Sequence, residues 1–341
     1  MGKKKKKKQR VHSENLVASA ETSANTEIKT DKEVTELPQI DTNAYCIRAP
    51  KNFHLRDIAC DDDGKLGAKK IGKAVLANNQ AAMFGLQERL YAENKQSLLI
   101  IFQAMDAAGK DGAIKHVMSG LNPQGTHVTS FKAPSSEELD RDYLWRINRA
   151  LPRRGEIGIF NRSHYEEVII TQLHNLLDGQ QIPADLIGKD VWQERYKQIN
   201  NWEEYLTKQG YVILKFFLHL SKEEQRERLL ARIIETDKNW KFSAGDIAER
   251  EHWDEYQELY EEMIQNTSTP HAPWYVVPAD KKWFSRALAS QVVADTLAKM
   301  NPVIPELDPE AREALDHWRE VLEQQDPEKA SEPGAAEKAL E

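Results

Sequence analysis

Cysteine is scarce in this chain. The two cysteines, Cys46 and Cys60, rule out a disulfide scaffold, and neither stands in a metal-ligand spacing. A reducing, cytoplasmic setting is the expectation that follows. No apolar run approaches the eighteen or so residues of a membrane span. The N-terminal MGKKKKKKQR is basic but has no apolar stretch behind it, so no secretory leader is expected. A positive excess is also missing. The net charge of −8 argues against a protein built to bind nucleic acid over its whole surface.

The charge is nonetheless uneven. Met1–Arg10 holds seven cations, and Glu306–Glu341 holds twelve acids against four bases. Blocks of like charge are usually solvated tails, although a lysine run can also act as an arm for a polyanion or a membrane surface. Residues 1–39 carry too few large apolar groups to offset the entropy of ordering and read as disordered. Residues 302–341 read as a proline-marked linker (Pro302, Pro305, Pro309), an acidic helix near Glu310–Gln324 and a frayed tail. The span 40–301 is left as the folded domain.

That domain reads as strands alternating with helices. The spacing predicts a helix over Lys65–Lys95, with Ile71, Val75, Ala82, Leu86 and Leu90 near one stripe and Gln87 off it. Apolar runs predict strands at Leu98–Phe102, His127–Phe131, Gly155–Phe160, Tyr211–Leu220 and Trp274–Val277. Between them, helices are expected at Lys110–Leu121, from Ser135 to Pro152, from the Asn161 turn onward, at Asp185–Gln209, at Lys222–Glu235, at His252–Gln265 and at Lys281–Met300. Ser135 resembles an N-cap, and Ser221 with Glu224 reads as a capping box. Asp237–Glu251 is polar and mobile in character. Such alternation predicts a five-stranded parallel sheet covered by helices on both faces, with ligands at the carboxyl ends of the strands.

Two of those strand ends carry charge. The first is SLLIIFQAMDAAGKDG at Ser97–Gly112, a buried strand breaking into Gly109-Lys110-Asp111-Gly112. A turn of this kind, opening a helix, directs backbone N–H groups and a lysine at an anion. It departs from the Walker pattern at both ends: Ala104 stands at the first glycine and Asp111 at the hydroxyl position. A helix start without a ligand fits the same residues. Lys110 and the turn of Ala108, Gly109, Asp111 and Gly112 can hold a phosphoryl group, and Asp106 and Asp111 offer hard oxygen to Mg²⁺ or Mn²⁺. Asp106 can alternatively act as a base, and Asp111 can simply cap the helix.

The second charged end is Asn161-Arg162-Ser163-His164-Tyr165-Glu166-Glu167. Arg162 there is a fork for phosphate oxygens or a surface arginine in a turn. Asn161 stands where related loops carry a metal-binding aspartate, and Glu166 or Glu167 can restore the lost charge. A third cluster comprises Arg226, Arg228, Arg232, Lys238 and Lys241, with Trp240 among them. It reads as a lid over about 222–251 that closes on phosphates, or as a basic face paired to its own glutamates.

AMDAAGKDG, FNRSHYEE, KFFLHLSKEEQRERLLAR, WKFSAGD and PWYVVPADKKWF occur in this order, and together they resemble the polyphosphate kinase 2 family, most of all its subclass acting on nucleoside mono- and diphosphates. The resemblance covers about Tyr45–Met300. It implies a P-loop kinase fold akin to thymidylate kinase with a helical lid, and Mg²⁺-dependent phosphoryl transfer from inorganic polyphosphate to AMP or ADP. In that picture Asp106, Lys110 and Arg162 are catalytic, and Ala108–Gly112, Lys115, Arg162, Arg228, Arg232 and Lys241 take the phosphate chain. Asn161, Glu166 and Glu167 lie at the nucleotide. The expected partners are polyphosphate, AMP or ADP and further copies of the chain in a dimer or tetramer, with no nucleic acid. An ATP-dependent nucleotide kinase and a polyphosphate-binding module without turnover remain as other readings of the residues.

Overall fold

The computed structural model of the protein describes residues 37–325. The expected disordered segment therefore lies outside the described residues as far as residue 36, as does the frayed tail beyond 325.

Five strands form one wholly parallel sheet in the order β2-β3-β1-β4-β5. They are β1 (Ser97–Gln103), β2 (Thr126–Ser130), β3 (Ile157–Asn161), β4 (Tyr211–His219) and β5 (Trp274–Pro278). The helices are α1 (Lys69–Glu93), α2 (Lys110–Val117), α3 (Ser136–Leu139), α4 (Trp145–Arg149), α5 (Ile170–Leu173), α6 (Val191–Lys208), α7 (Lys222–Ile234), α8 (Ala244–Glu249), α9 (Trp253–Thr267), α10 (Lys282–Met300) and α11 (Pro309–Gln324). Every residue of β1 is buried, as expected of a central parallel strand with helices on both faces.

The period of two along the strands divides the core. Leu98, Ile100 and Phe102 pack with Phe216 and Leu218 against α1 and α10. Leu99 and Ile101 pack with Phe160, Phe217 and Trp274 against α6 and α9. Phe102 pairs in register with Asn161 on one side and Phe216 on the other, so the loops after β1 and β3 leave the sheet at the same level.

Some expectations are corrected. The buried stripe of α1 is Gly72, Val75, Asn79, Met83, Gln87 and Leu90, while Ala82 is exposed. Gln87 is inside because its amide donates to the Asn122 carbonyl at 2.9 Å and to Thr126 Oγ1 at 2.7 Å, and its carbonyl accepts from the Asn122 N–H at 2.7 Å. Gly72 lets α10 come close, since a Cβ there would meet the Trp283 ring at 2.4 Å. The single helix expected after Ser135 is two short ones. Asp142 Oδ1 accepts from the Leu144 N–H at 2.9 Å, a local turn that competes with helix continuation. Ser135 and Glu138 do form a reciprocal capping box. Ser221 forms only half of one: its Oγ accepts from the Glu224 N–H, but its own N–H donates to Asp280 and the Glu224 carboxylate is taken by Arg228. The helix expected directly from the Asn161 turn begins as a 3₁₀ segment, His164–Val168, before α5. The polar stretch after α7 is built of 3₁₀ turns at Thr236–Lys241 and Arg250–His252 with α8 between them.

Candidate active site

The loop after β1 reverses through Ala107 (φ 63°) and Gly109 (φ 104°). Gly109 is the N-cap of α2, and its left-handed backbone suits a residue without a Cβ. Lys110, Asp111 and Gly112 make the first helical turn, so their N–H groups have no intrahelical acceptor. They open onto a cavity of about 700 Å³ at the carboxyl end of the sheet. Lys110 is buried, and its Nζ donates to the carbonyls of Ala104 (2.6 Å) and Met105 (3.2 Å) at the root of the loop. Burial lowers the Lys110 pKa from its ordinary value.

Arg162 also has a left-handed backbone, at φ 63°, and its N–H donates to the Phe102 carbonyl. This bends the chain at the end of β3 so that the guanidinium meets the β1 loop. Its Nη2 donates to Asp106 Oδ1 at 2.5 Å, and its Nη1 lies 3.7 Å from Glu166 Oε2. Glu166 in turn accepts from Gln103 Nε2 at 3.0 Å. Burial alone would raise the Asp106 carboxyl pKa; the Lys110 and Arg162 charges overcome this and hold it below its usual value.

The Asp106–Arg162 pair stands where two cavities meet. On the other side is a chamber of about 920 Å³. Glu166, Glu167, Tyr143, Arg195, Glu249 and Tyr256 are in its wall. The Arg195 guanidinium lies 4.6 Å from the Tyr143 ring centre. Glu167 is buried and already engaged: it accepts from Arg195 Nε at 3.1 Å, Gln180 Nε2 at 2.6 Å and Thr171 Oγ1 at 3.2 Å.

The loop-side chamber is cationic. Arg232, Lys238 and Lys241 approach from the α7–α8 segment, and Lys282 and Arg286 from the first turns of α10. Burial first, then the neighbouring Arg228 charge, lowers the pKa of both Lys282 and Arg286. Arg232 is held by Asp246 and by the Lys241 carbonyl.

The fold thus brings Asp106, Ala108–Gly112, Arg162, Arg232 and Lys241 together around one chamber and Glu166 and Glu167 around the other. Asn161 lies on the loop side, where its Nδ2 donates to Asp111 Oδ1 at 2.8 Å. Lys115 is exposed on α2 outside the chamber lining, whereas Arg228 does line the loop-side chamber, with its guanidinium turned onto backbone carbonyls. Lys282, Arg286, Lys132, Tyr143 and Arg195 join the walls without having been singled out. For Lys282 and Arg286 a signal was present: cations four apart at the start of the helix after a strand.

Among the described residues no group of three or more His, Cys, Asp or Glu could hold a metal ion. Asp106 and Asp111 instead suit an ion that keeps its waters and arrives on substrate phosphates.

The parallel sheet, the Gly-Lys turn that opens α2 and the paired charges at adjoining strand ends match a phosphotransferase of the P-loop kinase kind. Its family is set by comparison: the profile of Polyphosphate kinase 2 matches residues 67–304, and the chain belongs to that family. An ADP-polyphosphate phosphotransferase of Rhodopseudomonas palustris is 52% identical over 239 residues, covering 70% of this chain and 83% of that protein. An AMP/ADP-polyphosphate phosphotransferase of Meiothermus ruber is 45% identical over 254 residues, covering 74% and 91%. The crystal structure of Polyphosphate Kinase 2 from Arthrobacter aurescens TC1 superposes with a TM-score of 0.74 at 39% identity, covering 82% of this chain and 97% of that one.

Proposed function

We propose that this protein transfers the terminal phosphoryl group of inorganic polyphosphate to AMP and to ADP. The observation that carries the reading is the pair of unlike chambers joined at Asp106 and Arg162. Apart from Phe131 on the shared wall, the described lining of the cationic chamber holds no aromatic ring, only cations, loop backbone and small or polar residues. That suits a linear polyanion better than a nucleobase. The second chamber offers Tyr143 and Phe131 as apolar faces and Arg195 as a cation, which suits a nucleotide.

In this reading the loop N–H groups with Lys241, Lys282 and Arg286 hold the donor chain. A terminal oxygen of the nucleotide phosphate attacks the terminal phosphorus. The bond to the bridging oxygen breaks, and the shortened chain departs with the electron pair. Arg162 faces both chambers and neutralises charge on the group in flight. Lys110 secures the root of the loop and supplies a buried positive charge beside it. Asp106 and Asp111 would hold Mg²⁺, which when bound neutralises phosphate charge. Two free cysteines, Cys46 and Cys60, accord with a cytoplasmic site of action. The domain limits of 40–301, with a lid over about 222–251, are part of the same proposal.

The test follows nucleotide products by chromatography after incubation with Mg²⁺ and either polyphosphate or ATP as donor, with AMP and ADP supplied separately. ADP and ATP should form with polyphosphate. Turnover with ATP alone would make the protein an ATP-dependent kinase, and binding without turnover would make it a polyphosphate-binding module.

A further inference from the structure

Five consecutive carbonyls precede the anion-binding turn, and each is held by a side chain. Lys110 Nζ takes those of Ala104 and Met105. Gln225 Nε2 donates to the Asp106 carbonyl at 3.0 Å. Arg228 Nη1 donates to the carbonyls of Ala107 at 3.1 Å and Ala108 at 2.7 Å. With the carbonyls of Asp106, Ala107 and Ala108 held from α7 and those of Ala104 and Met105 by Lys110, the N–H groups of the first turn of α2 are left toward the donor chamber.

Arg228 has no donor to spare. Its Nη2 donates to the Ala279 carbonyl at 2.6 Å and the Asp280 carbonyl at 3.1 Å, and its Nε to Glu224 Oε1 at 2.8 Å. With the two loop carbonyls, these use all five N–H groups of a guanidinium. A phosphate could bind Arg228 only by displacing one of these partners, four backbone carbonyls and the Glu224 carboxylate, and a buried carbonyl left without its donor is costly. Gln225 is buried and itself oriented: Arg250 Nη1 donates to its Oε1 at 2.8 Å and to the Lys222 carbonyl at 2.7 Å. The 3₁₀ turn beyond α8 is thus linked to the loop through two side chains.

We infer that Arg228 and Gln225 are positioning residues: they set the orientation of the loop N–H groups, and Arg228 is not a ligand of the phosphate chain. The inference rests on the donor-chamber reading for its consequence in catalysis, but the loop geometry stands apart from it. It separates Arg228 from Arg232 and Lys241, which share its lid segment.

The experiment compares Arg228→Lys, Arg228→Gln and Gln225→Leu with Lys241→Gln. Gln225→Leu is similar in shape and serves if the arginine variants fail to fold. In the unliganded protein, hydrogen exchange of the segment 104–114 should speed up about tenfold or more in the Arg228 and Gln225 variants. Unchanged exchange in all of them overturns the inference, whatever the substrate proves to be. With inorganic polyphosphate, Arg228→Lys should lower kcat as much as Arg228→Gln, by about tenfold to a hundredfold. Both should leave the salt dependence of polyphosphate KM as in the parent, whereas Lys241→Gln should lower the log–log slope by about one. Near-parental rates in Arg228→Lys, with a slope reduced by about one in Arg228→Gln, would show a direct ligand. If the parent protein fails to use polyphosphate, the donor reading falls, and the exchange measurement still decides the brace.

Discussion

Arg162 and Asp106 form the ion pair that both chambers share, and the proposed chemistry turns on these two side chains. A left-handed backbone at a non-glycine residue costs on the order of 1–3 kcal/mol, and here it aims a guanidinium at the carboxylate across the strand gap. Lysine could not make the same fork to Asp106 and Glu166. Arg162→Lys should lower kcat by roughly 10²–10³-fold while the melting temperature stays within a few degrees, as steady-state kinetics and thermal melts will read. A variant turning over at the parental rate would remove Arg162 from the reaction. Asp106 gives a pH dependence whose sign follows from its lowered pKa. A depressed carboxylate contributes stability above its unfolded value, about 3.9, and loses it as pH falls through the folded one. Asp106→Asn should thus be less stable than the parent at pH 7, with the gap closing in acid. Urea titrations across pH measure this, and a gap independent of pH would contradict it.

Among the elements, the segment α7–α8 carries its own reporter. Trp240 is 79% exposed, and Lys241 Nζ, which lines the cationic chamber, lies 4.9 Å from its ring centre. Polyphosphate bound by Lys241 should change the tryptophan emission, and the change should vanish in Trp240→Phe. An identical response in that variant would place the reporting tryptophan elsewhere. Element positions were largely legible in the sequence because apolar runs and caps are local signals: β1, β4 and the Ser135 N-cap needed no tertiary knowledge. What escaped was set by partners distant in the chain. Gln87 is buried by the Asn122 backbone and Thr126. Ser221 loses half of its box because Arg228 claims Glu224. At the site, the turns of Gly109 and Arg162 could be read, since strand ends punctuated by Gly and charge are visible in one dimension. The saturation of Arg228 by four backbone carbonyls could not.

Across the whole molecule, a buried ionic network lies one layer beneath the site. Lys215, in the middle of β4, donates to Glu203 Oε2 at 2.6 Å, to the Tyr165 hydroxyl at 2.9 Å and to the Thr267 carbonyl at 2.7 Å. It joins β4, α6, the turn after β3 and the end of α9. A lone lysine inside the apolar run YVILKFFLHL was the sequence signal for it. Lys215→Met leaves the Glu203 carboxylate buried and unpaired and should cost about 3–5 kcal/mol in urea unfolding. A loss under about 1 kcal/mol would show that the pair carries little. The larger organisation is one sheet that ends in two chambers, a cationic one and one lined by Tyr143, Arg195 and carboxylates, sharing a wall at Asp106 and Arg162. The most direct measurement of that arrangement is the KM of polyphosphate and of AMP in Arg286→Gln and in Tyr143→Leu. The division of labour requires a crossed result: Arg286→Gln raises the polyphosphate KM and leaves that of AMP, while Tyr143→Leu does the reverse. Both variants raising the same KM, or neither raising any, would contradict two chambers with two ligands.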